Sequence, residues 1–363
     1  MIDSLTLFRY LGRQYLVWFF SFLFGLAGII YLFEVAELMR RAADVDVISL
    51  SLVLRMGAYK LPDTVEKVLP FVVLFSGMFT FWKLTRSQEL VIARAAGVSV
   101  WQFLAPALLI TLVLGGINTA LVNPVGATMT ARYKTLEFDY FKHGPSLELT
   151  GAGLWLRQEE GDRRYLLHAD KVSMDPLTLT PLIVFVYDKK DQYLGRIDAP
   201  HAVLKGDHWA IENAWFNAEE KEPEHLPFFA LKTSLTYEKI QDSMASPETI
   251  SFWQLPNFIR ALKEIGLPPV RHKMRFHVLL AMPLLLCAMV LFAAAFSLRL
   301  HRHGGILNAM MLGVLVGSAV FSLNNVVTAL GINHTLPIVL AAWAIPVVSL
   351  LAGQATLLYL EDG

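Results

Sequence analysis

The sequence predicts an integral membrane protein with six transmembrane α-helices, divided three and three by an inserted β domain. Three observations carry this prediction: 55% of the residues are hydrophobic, only 17% are charged, and the charge is concentrated in the middle of the chain. Soluble domains carry charge on about a quarter of their residues, so this composition favours a membrane protein. The mean hydropathy of +0.48 agrees with it.

The first three spans precede the charged region. An uncharged run from Tyr15 to Phe33 approaches the roughly 20 residues that cross a bilayer, and it exceeds the apolar part of a signal peptide. It therefore predicts a retained first helix. The second span has a short uncharged core, Val68–Trp82, which reaches spanning length when the helix begins near Pro62. No charged residue occurs between Ala95 and Ala131, which predicts the third span.

The last three spans follow the charged region. Phe276–Leu298 lies between two arginines and predicts the fourth span. No Asp, Glu, Lys or Arg occurs from Gly304 to Leu360, a run too long for one helix. A glycine, an asparagine and Pro337 interrupt it and predict two helices, near 306–329 and 337–360. An even number of spans places both termini on the same side of the membrane.

The middle of the chain, from Arg132 to Arg275, has the pattern of an all-β domain. Six short stretches alternate apolar and polar residues, and turns such as Glu160-Gly161-Asp162 separate them, which indicates a sandwich or barrel. An amphipathic helix follows Ser251, and we expect it at the membrane interface. The sequence thus predicts a first membrane half, a β domain, and an interfacial helix with the second membrane half, at residues 1–131, 132–250 and 251–363.

Motifs of the common catalytic sites are absent from the sequence. It contains no phosphate-binding Gly-x-x-x-x-Gly-Lys-Ser/Thr loop, no His-Glu-x-x-His zinc pair and no Gly-x-Ser-x-Gly nucleophile elbow. The single Cys287 excludes an internal disulfide and a cysteine-based zinc site. The 31 basic and 31 acidic residues cancel, so charge gives no reason to expect a nucleic-acid partner. We expect no cofactor, no metal and no catalytic residue.

The connector between the second and third spans predicts a short helix. Thr85 and Gln88 have the spacing of a capping box, Glu89 follows in the first turn, and Gly97 lies at the expected end. An ordinary interfacial connector and a docking surface for another protein both remain open here. The spans are nearly free of ionisable residues, so we expect the energy for any transport to come from another chain.

Basic residues border the spans on both sides of the membrane, so counting them does not decide the orientation. On the side away from the termini, Arg40, Arg41 and Arg132 stand close to the ends of spans one and three. Arginine pairs well with phosphate oxygens, so an anionic lipid headgroup is one explanation. Long side chains that reach out to anchor the helix ends are the other.

The sequence resembles the LptF/LptG family of lipopolysaccharide export permeases over essentially its whole length. The segment before span four and the C-terminal span resemble LptG more than LptF. The most specific matches are Arg9–Arg13 before span one, Ser87–Gly97 between spans two and three, and Gly151–Trp155 at the start of the β domain. Two more, Ser251–Leu255 and Arg271–Arg275, precede span four.

The resemblance implies a permease subunit of an ABC transporter in the bacterial inner membrane, with cytoplasmic termini and a periplasmic β-jellyroll. It implies that lipopolysaccharide is extracted and passed to a periplasmic bridge towards the outer membrane. The implied partners are an LptF-like permease, an LptB-like ATPase dimer and an LptC-like single-span protein. Residues 84–97 would form the coupling helix, with Glu89 and Arg94 at the ATPase.

The resemblance also implies where the lipid lies. Spans one, two and five would line an apolar cavity with basic groups near the outer leaflet. The implied substrate contacts are Arg40, Arg41, Arg132, Lys134 and, for the cavity wall, Phe321. Glu34 is one departure from the family pattern, because some members have a basic residue there.

Two other classes of function remain open. One is a membrane-anchored scaffold or assembly protein whose β domain binds a partner and whose spans transport nothing. The other is a lipid-modifying enzyme, although the sequence has no motif for its nucleophile or metal. Neutralising Arg40 and Arg41 separates a lipid carrier from a scaffold, because only the carrier should lose headgroup binding.

Overall fold

The structure is a computed structural model that describes residues 4–43, 49–95, 97–141, 146–150, 153–174, 176–189, 192–218, 222–233, 246–265, 267–299 and 306–362. These residues divide into two compact units. The helical unit contains the described residues of 1–136, 251–253 and 270–363, and the other unit contains those of 137–250 and 254–269.

Nine α-helices are present in the described part of the chain: α1 Ser4–Ala42, α2 Leu50–Arg86, α3 Glu89–Ala95, α4 Val100–Ile117, α5 Asn123–Phe141, α6 Leu255–Ile265, α7 Val270–Arg299, α8 Ile306–Ile332 and α9 Ile338–Asp362. A π-helical turn, Asn118–Val122, joins α4 to α5 without a break. Six helices are long and apolar enough to cross a membrane: Thr6–Ala42, Leu50–Arg86, Val100–Phe141, Val270–Ser297, Met311–Ile332 and Ile338–Tyr359. The predicted arrangement of three and three spans is confirmed.

The helical unit is built around α7, which packs against α2, α4, α8 and α9. Small residues let the helices approach closely, as is common between membrane helices. A Cβ added at Gly77 of α2 would lie 2.8 Å from the Cβ of Ala293, and one added at Gly353 would lie 2.8 Å from the Cβ of Leu291. The buried hydroxyl of Tyr15 shares a 2.7 Å hydrogen bond with Thr111, which joins α1 to α4.

Eight antiparallel strands form one sheet between the third and fourth spans: β1 Ser146–Thr150, β2 Gly153–Glu160, β3 Arg163–Met174, β4 Leu177–Asp188, β5 Tyr193–Ala199, β6 His201–Lys205, β7 His208–Ala218 and β8 Glu224–Lys232. The strand order is β1-β2-β3-β4-β5-β7-β6, β8 pairs with β7, and β4 also pairs with β6. The sheet therefore curls back on itself, and the predicted inserted β domain is confirmed.

The curled sheet encloses an apolar core. Alternate side chains along its strands point inwards, as the period of two requires, and Leu156, Leu167, Val184 and Trp209 are fully buried there. The helix α6 contributes Leu262 to the same core. Packing on the β domain thus accounts for the amphipathic pattern of α6 without a membrane surface.

Candidate functional site

The connector between the second and third spans contains α3, but the predicted capping box at Thr85 and Gln88 is wrong. Thr85 still lies inside α2, where its hydroxyl donates to a carbonyl of the preceding turn at 2.7 Å. Gln88 lies between the two helices with φ at 59°. The reason is that α2 continues past the predicted boundary. A true capping box occurs at the start of α4, between Ser99 and Gln102.

Glu89 is the first residue of α3 and its carboxylate is held by two hydroxyl groups. The Oγ of Ser87 donates to its Oε1 at 2.8 Å, and the hydroxyl of Tyr10, in α1, hydrogen-bonds to the same side chain. Glu89 is half-buried, so the carboxylate keeps a solvent-facing side. Arg94 lies in the last turn of α3, and its side chain is outside the described part of the structure.

The two sides of α3 differ in burial. Leu90 and Ala93 are buried against the helical unit, whereas Ile92 is 64% exposed. An exposed apolar side chain beside an acidic one gives this short helix a surface of mixed character. Ile92 was not among the predicted site residues, although its position two residues from the core-facing Leu90 indicates the opposite face of the helix.

Arg40 and Arg41 lie in the last turn of α1. The Arg40 guanidinium makes a bidentate contact with Glu37, with Nε 2.9 Å from Oε2 and Nη2 2.8 Å from Oε1. The Arg40 side chain is nevertheless 76% exposed. An exposed ion pair of this kind contributes little to the free energy of folding. Glu37 therefore orients Arg40 without preventing it from exchanging the carboxylate for another anion. Arg41 is half-buried.

Arg132 and Lys134 flank Tyr133 in α5, and contacts of Tyr133 place them relative to α1 and α2. The Nζ of Lys60 lies 5.6 Å from the centroid of the buried Tyr133 ring. The same ammonium group is 2.7 Å from Oε2 of Glu34. Glu34 of α1, Lys60 of α2 and Tyr133 of α5 therefore meet at one level of the helical unit.

The predicted headgroup contacts Arg40 and Arg41 belong to α1, and Arg132 and Lys134 belong to α5. Together with Lys60 of α2, which was not among the predicted contacts, they define what we call the basic end of the helical unit. Arg40 is six residues beyond Glu34, about 9 Å along α1 at 1.5 Å per residue. Phe321 lies elsewhere, because its ring packs 5.6 Å from that of Phe71. Phe71 is about 17 Å along α2 from Lys60. Lys60 thus lies beside Tyr133, whereas Phe321 packs against Phe71, further along α2.

The Glu34–Lys60 pair was not predicted, although it bears on the departure noted at Glu34. The two side chains are 16% and 34% exposed, and Lys60 supplies a positive charge at the level where the sequence lacks one. The sequence did contain an indication of this ion pair, because Glu34 and Lys60 lie at similar distances from the loop joining α1 to α2. Residues so placed face each other in two antiparallel helices.

A second ion pair that the sequence analysis missed links three spans. The Nη2 of Arg275 lies 2.7 Å from Oε1 of Glu66, with side chains only 15% and 11% exposed. The other oxygen of Glu66 accepts a 3.2 Å hydrogen bond from Nδ2 of Asn123. The charge of each partner is therefore compensated within the helical unit.

Replacing Arg275 with Met should lower the free energy of unfolding by about 3 kcal/mol, because the buried Glu66 would lose its compensating charge. Thermal unfolding of the purified chain in detergent measures this effect. The double variant Glu66→Met/Arg275→Met is the control and should recover most of the loss, since no unpaired charge remains. Equal stability of Arg275→Met and the unaltered chain would contradict the assignment.

No group of three or more His, Cys, Asp or Glu side chains within the described ranges is arranged to hold a metal ion. The basic end supplies positively charged side chains, and the surroundings of Phe321 are apolar. The surface of α3 presents an exposed apolar side chain, Ile92, beside the half-buried Glu89.

The family model described as lipopolysaccharide export system permease LptF/LptG matches residues 9–359. The lipopolysaccharide export system permease protein LptG of Escherichia coli strain K12 is 22% identical over 350 residues, which is 92% of this chain and 92% of that protein. LptG of Escherichia coli O6:H1 has the same identity and coverage. With six apolar helices, an inserted antiparallel sheet and a match across nearly its full length, this chain belongs to the LptF/LptG family of multi-pass inner-membrane permeases of the lipopolysaccharide export system.

Proposed function

We propose that this chain is the permease subunit of an ABC transporter that extracts lipopolysaccharide from the inner membrane and passes it to a periplasmic bridge. The observation that carries the proposal is the family match over residues 9–359. The proposed partners are an LptF-like permease, an LptB-like ATPase dimer and an LptC-like single-span protein. In this arrangement both termini and α3 are cytoplasmic, and the β domain is periplasmic.

Lipopolysaccharide combines phosphate groups with several acyl chains, and the chain offers complementary groups for both. Arg40, Arg41, Arg132 and Lys134 would pair with the phosphates at the outer leaflet. Phe321 would contact acyl chains deeper in the membrane. Each methylene that leaves an apolar environment costs about 0.8 kcal/mol, so extraction needs an energy source far above thermal energy. ATP hydrolysis in the partner supplies it.

The helix α2 gives a direct mechanical path between the two sites. It carries Lys60 at the basic end and ends at Arg86, three residues before Glu89. In the proposed cycle, Glu89 and Arg94 contact the ATPase, and its closure pushes α3. The long helix carries this displacement to the basic end, where the cavity narrows and the lipid leaves towards the β domain.

Purification of the tagged chain from native membranes in mild detergent tests this function. We expect mass spectrometry to identify an LptF-like permease, an LptB-like ATPase and lipopolysaccharide in the same sample. A matched purification of an unrelated six-span membrane protein controls for lipid carried over by detergent. Recovery of the chain with unrelated proteins and only bulk phospholipid would favour the membrane-anchored scaffold instead.

A further inference from the structure

A proline interrupts the backbone hydrogen bonds of the fourth span. Pro283 lies inside α7, and because it has no N–H it leaves the carbonyl of Leu279 without its helical donor. The Oγ1 of Thr119, in the π-helical turn of the third span, donates to that carbonyl at 3.1 Å. The two spans touch here, since a Cβ added at Gly115 would lie 2.8 Å from the Cα of Pro283.

The third span also departs from regular α-helical hydrogen bonding at the same place. Its π-helical turn, Asn118–Val122, is followed by Pro124, which cannot donate to the carbonyl of Ala120. The indole Nε1 of Trp253 donates to the Ala120 carbonyl at 2.9 Å. In both spans, therefore, a side chain from a distant part of the sequence replaces the backbone donor that a proline removes.

Trp253 belongs to a short segment, Ser251–Trp253, that groups with the helical unit although it follows the β-strands. The backbone N–H of Phe252 donates to Oδ1 of Asn123 at 2.9 Å. The Phe252 ring stacks on Phe276 of α7, with 5.3 Å between centroids and 7° between planes. This segment thus contacts both interrupted spans, and we call it the clamp segment.

One polar group at the interruption is unsatisfied. Asn118 is buried, and its Nδ2 has no hydrogen-bond partner. A buried amide without a hydrogen-bond partner costs free energy. A different arrangement of this turn, in which Nδ2 of Asn118 finds an acceptor, would avoid that cost. π-helical turns and prolines are also the usual sites at which helices bend.

We propose that spans three and four bend together at Thr119 and Pro283 during transport, and that Thr119 and Trp253 are the positioning residues of this hinge. The proposal rests on the proposed function, because a lipid permease must change shape between loading and release. Bending at these points exchanges side-chain hydrogen bonds and leaves the regular backbone bonds on either side intact. The clamp segment sets the angle because it holds both spans.

The variant Pro283→Ala tests the hinge in the complete complex of two permeases and ATPase. Alanine keeps the Cα and Cβ that contact Gly115 and restores an N–H donor for Leu279. We expect the complex to assemble with unchanged or higher thermal stability, and lipopolysaccharide release per ATP to fall, because hinge substitutions commonly alter turnover. Release at the wild-type rate from an assembled Pro283→Ala complex would overturn the proposal.

Two substitutions at Thr119 separate positioning from simple structural support. Thr119→Val removes the donor and should lower the melting temperature, whereas Thr119→Ser keeps the donor and should not. In the Pro283→Ala background Thr119→Val should have little effect on melting, because Leu279 regains a backbone donor. A purely structural role predicts that this double variant releases lipid normally, and our proposal predicts that it does not.

Hydrogen–deuterium exchange provides a readout that does not depend on transport. Peptides covering residues 115–125 and 279–287 should change protection between nucleotide-free and ATP-analogue-bound wild-type complex, and Trp253→Phe should reduce that difference. Trp215→Phe, in the β domain, is the matched control. Unchanged protection of both peptides would overturn the hinge. Changed protection in a complex that releases no lipopolysaccharide would retain the hinge and refute the proposed function.

Discussion

A Glu89→Lys variant is expected to insert into the membrane normally and to lose its ATPase partner. Glu89 opens α3 and is oriented by Ser87 and Tyr10. In the proposed complex its carboxylate would meet a basic group of the ATPase. Charge reversal replaces this attraction with repulsion, which costs several kcal/mol across an interface. We expect association to weaken about 100-fold or more, measured by recovery of the ATPase with the tagged permease pair.

Two further variants sharpen this test. Glu264→Lys makes the same charge change at an exposed position of α6 and should leave ATPase recovery unchanged. Tyr10→Phe removes a hydroxyl that holds Glu89 without altering charge, and it should weaken association by only about threefold, the effect of one exposed hydrogen bond. If the Glu89→Lys permease recovers the ATPase as well as the unaltered one, α3 is an ordinary connector.

The six spans were predictable because a spanning helix is a local property of the sequence. An uncharged run such as Ala95–Ala131 must satisfy its backbone polar groups within itself, and a helix is the form that does so. The break at Pro337 was predictable for the same local reason. The prediction of a capping box at Thr85 and Gln88 was wrong because residues with that spacing also occur inside helices. The end of α2 depends on how that helix packs.

The β domain was predictable in kind and only partly in detail. The six alternating stretches correspond to β2, β3, β4, β5, β7 and β8, whereas β1 and β6 were missed. Each of the missed strands has five residues, which is too short for alternation to stand out. The pairing of β4 with β6 could not be predicted, because it depends on how the whole sheet curls.

The polar contacts of the helical unit were not predictable from local patterns. Glu66 and Arg275 are separated by the entire β domain in sequence, and so are Thr119 and Leu279. No periodicity within one helix indicates which residue of another helix it will face. The basic residues were identified individually, and only the Lys60–Tyr133 and Lys60–Glu34 contacts show that α1, α2 and α5 meet at one level.

Neutralising Arg40 and Arg41 together as Gln should reduce lipopolysaccharide binding about 10-fold, since each exposed ion pair with phosphate is worth up to about 1 kcal/mol and about 1.4 kcal/mol corresponds to a factor of ten. The long polar side chains keep most of the packing at the end of α1, so we expect assembly with the ATPase and its basal hydrolysis to be unchanged. Binding is measured as lipopolysaccharide retained by the purified complex per mole of protein.

The direction of the effect can be tested with the opposite change at the same end of the helical unit. Glu34→Gln removes the carboxylate that lies 2.7 Å from Lys60, so the basic end gains one net positive charge and should retain lipopolysaccharide more strongly. Arg157→Gln/Lys171→Gln removes two exposed charges from the β domain and should change nothing. A carrier that recognises phosphate by charge must show opposite effects at Arg40/Arg41 and at Glu34. Equal retention by all three variants would mean that these arginines only anchor the helix ends, as a scaffold would require.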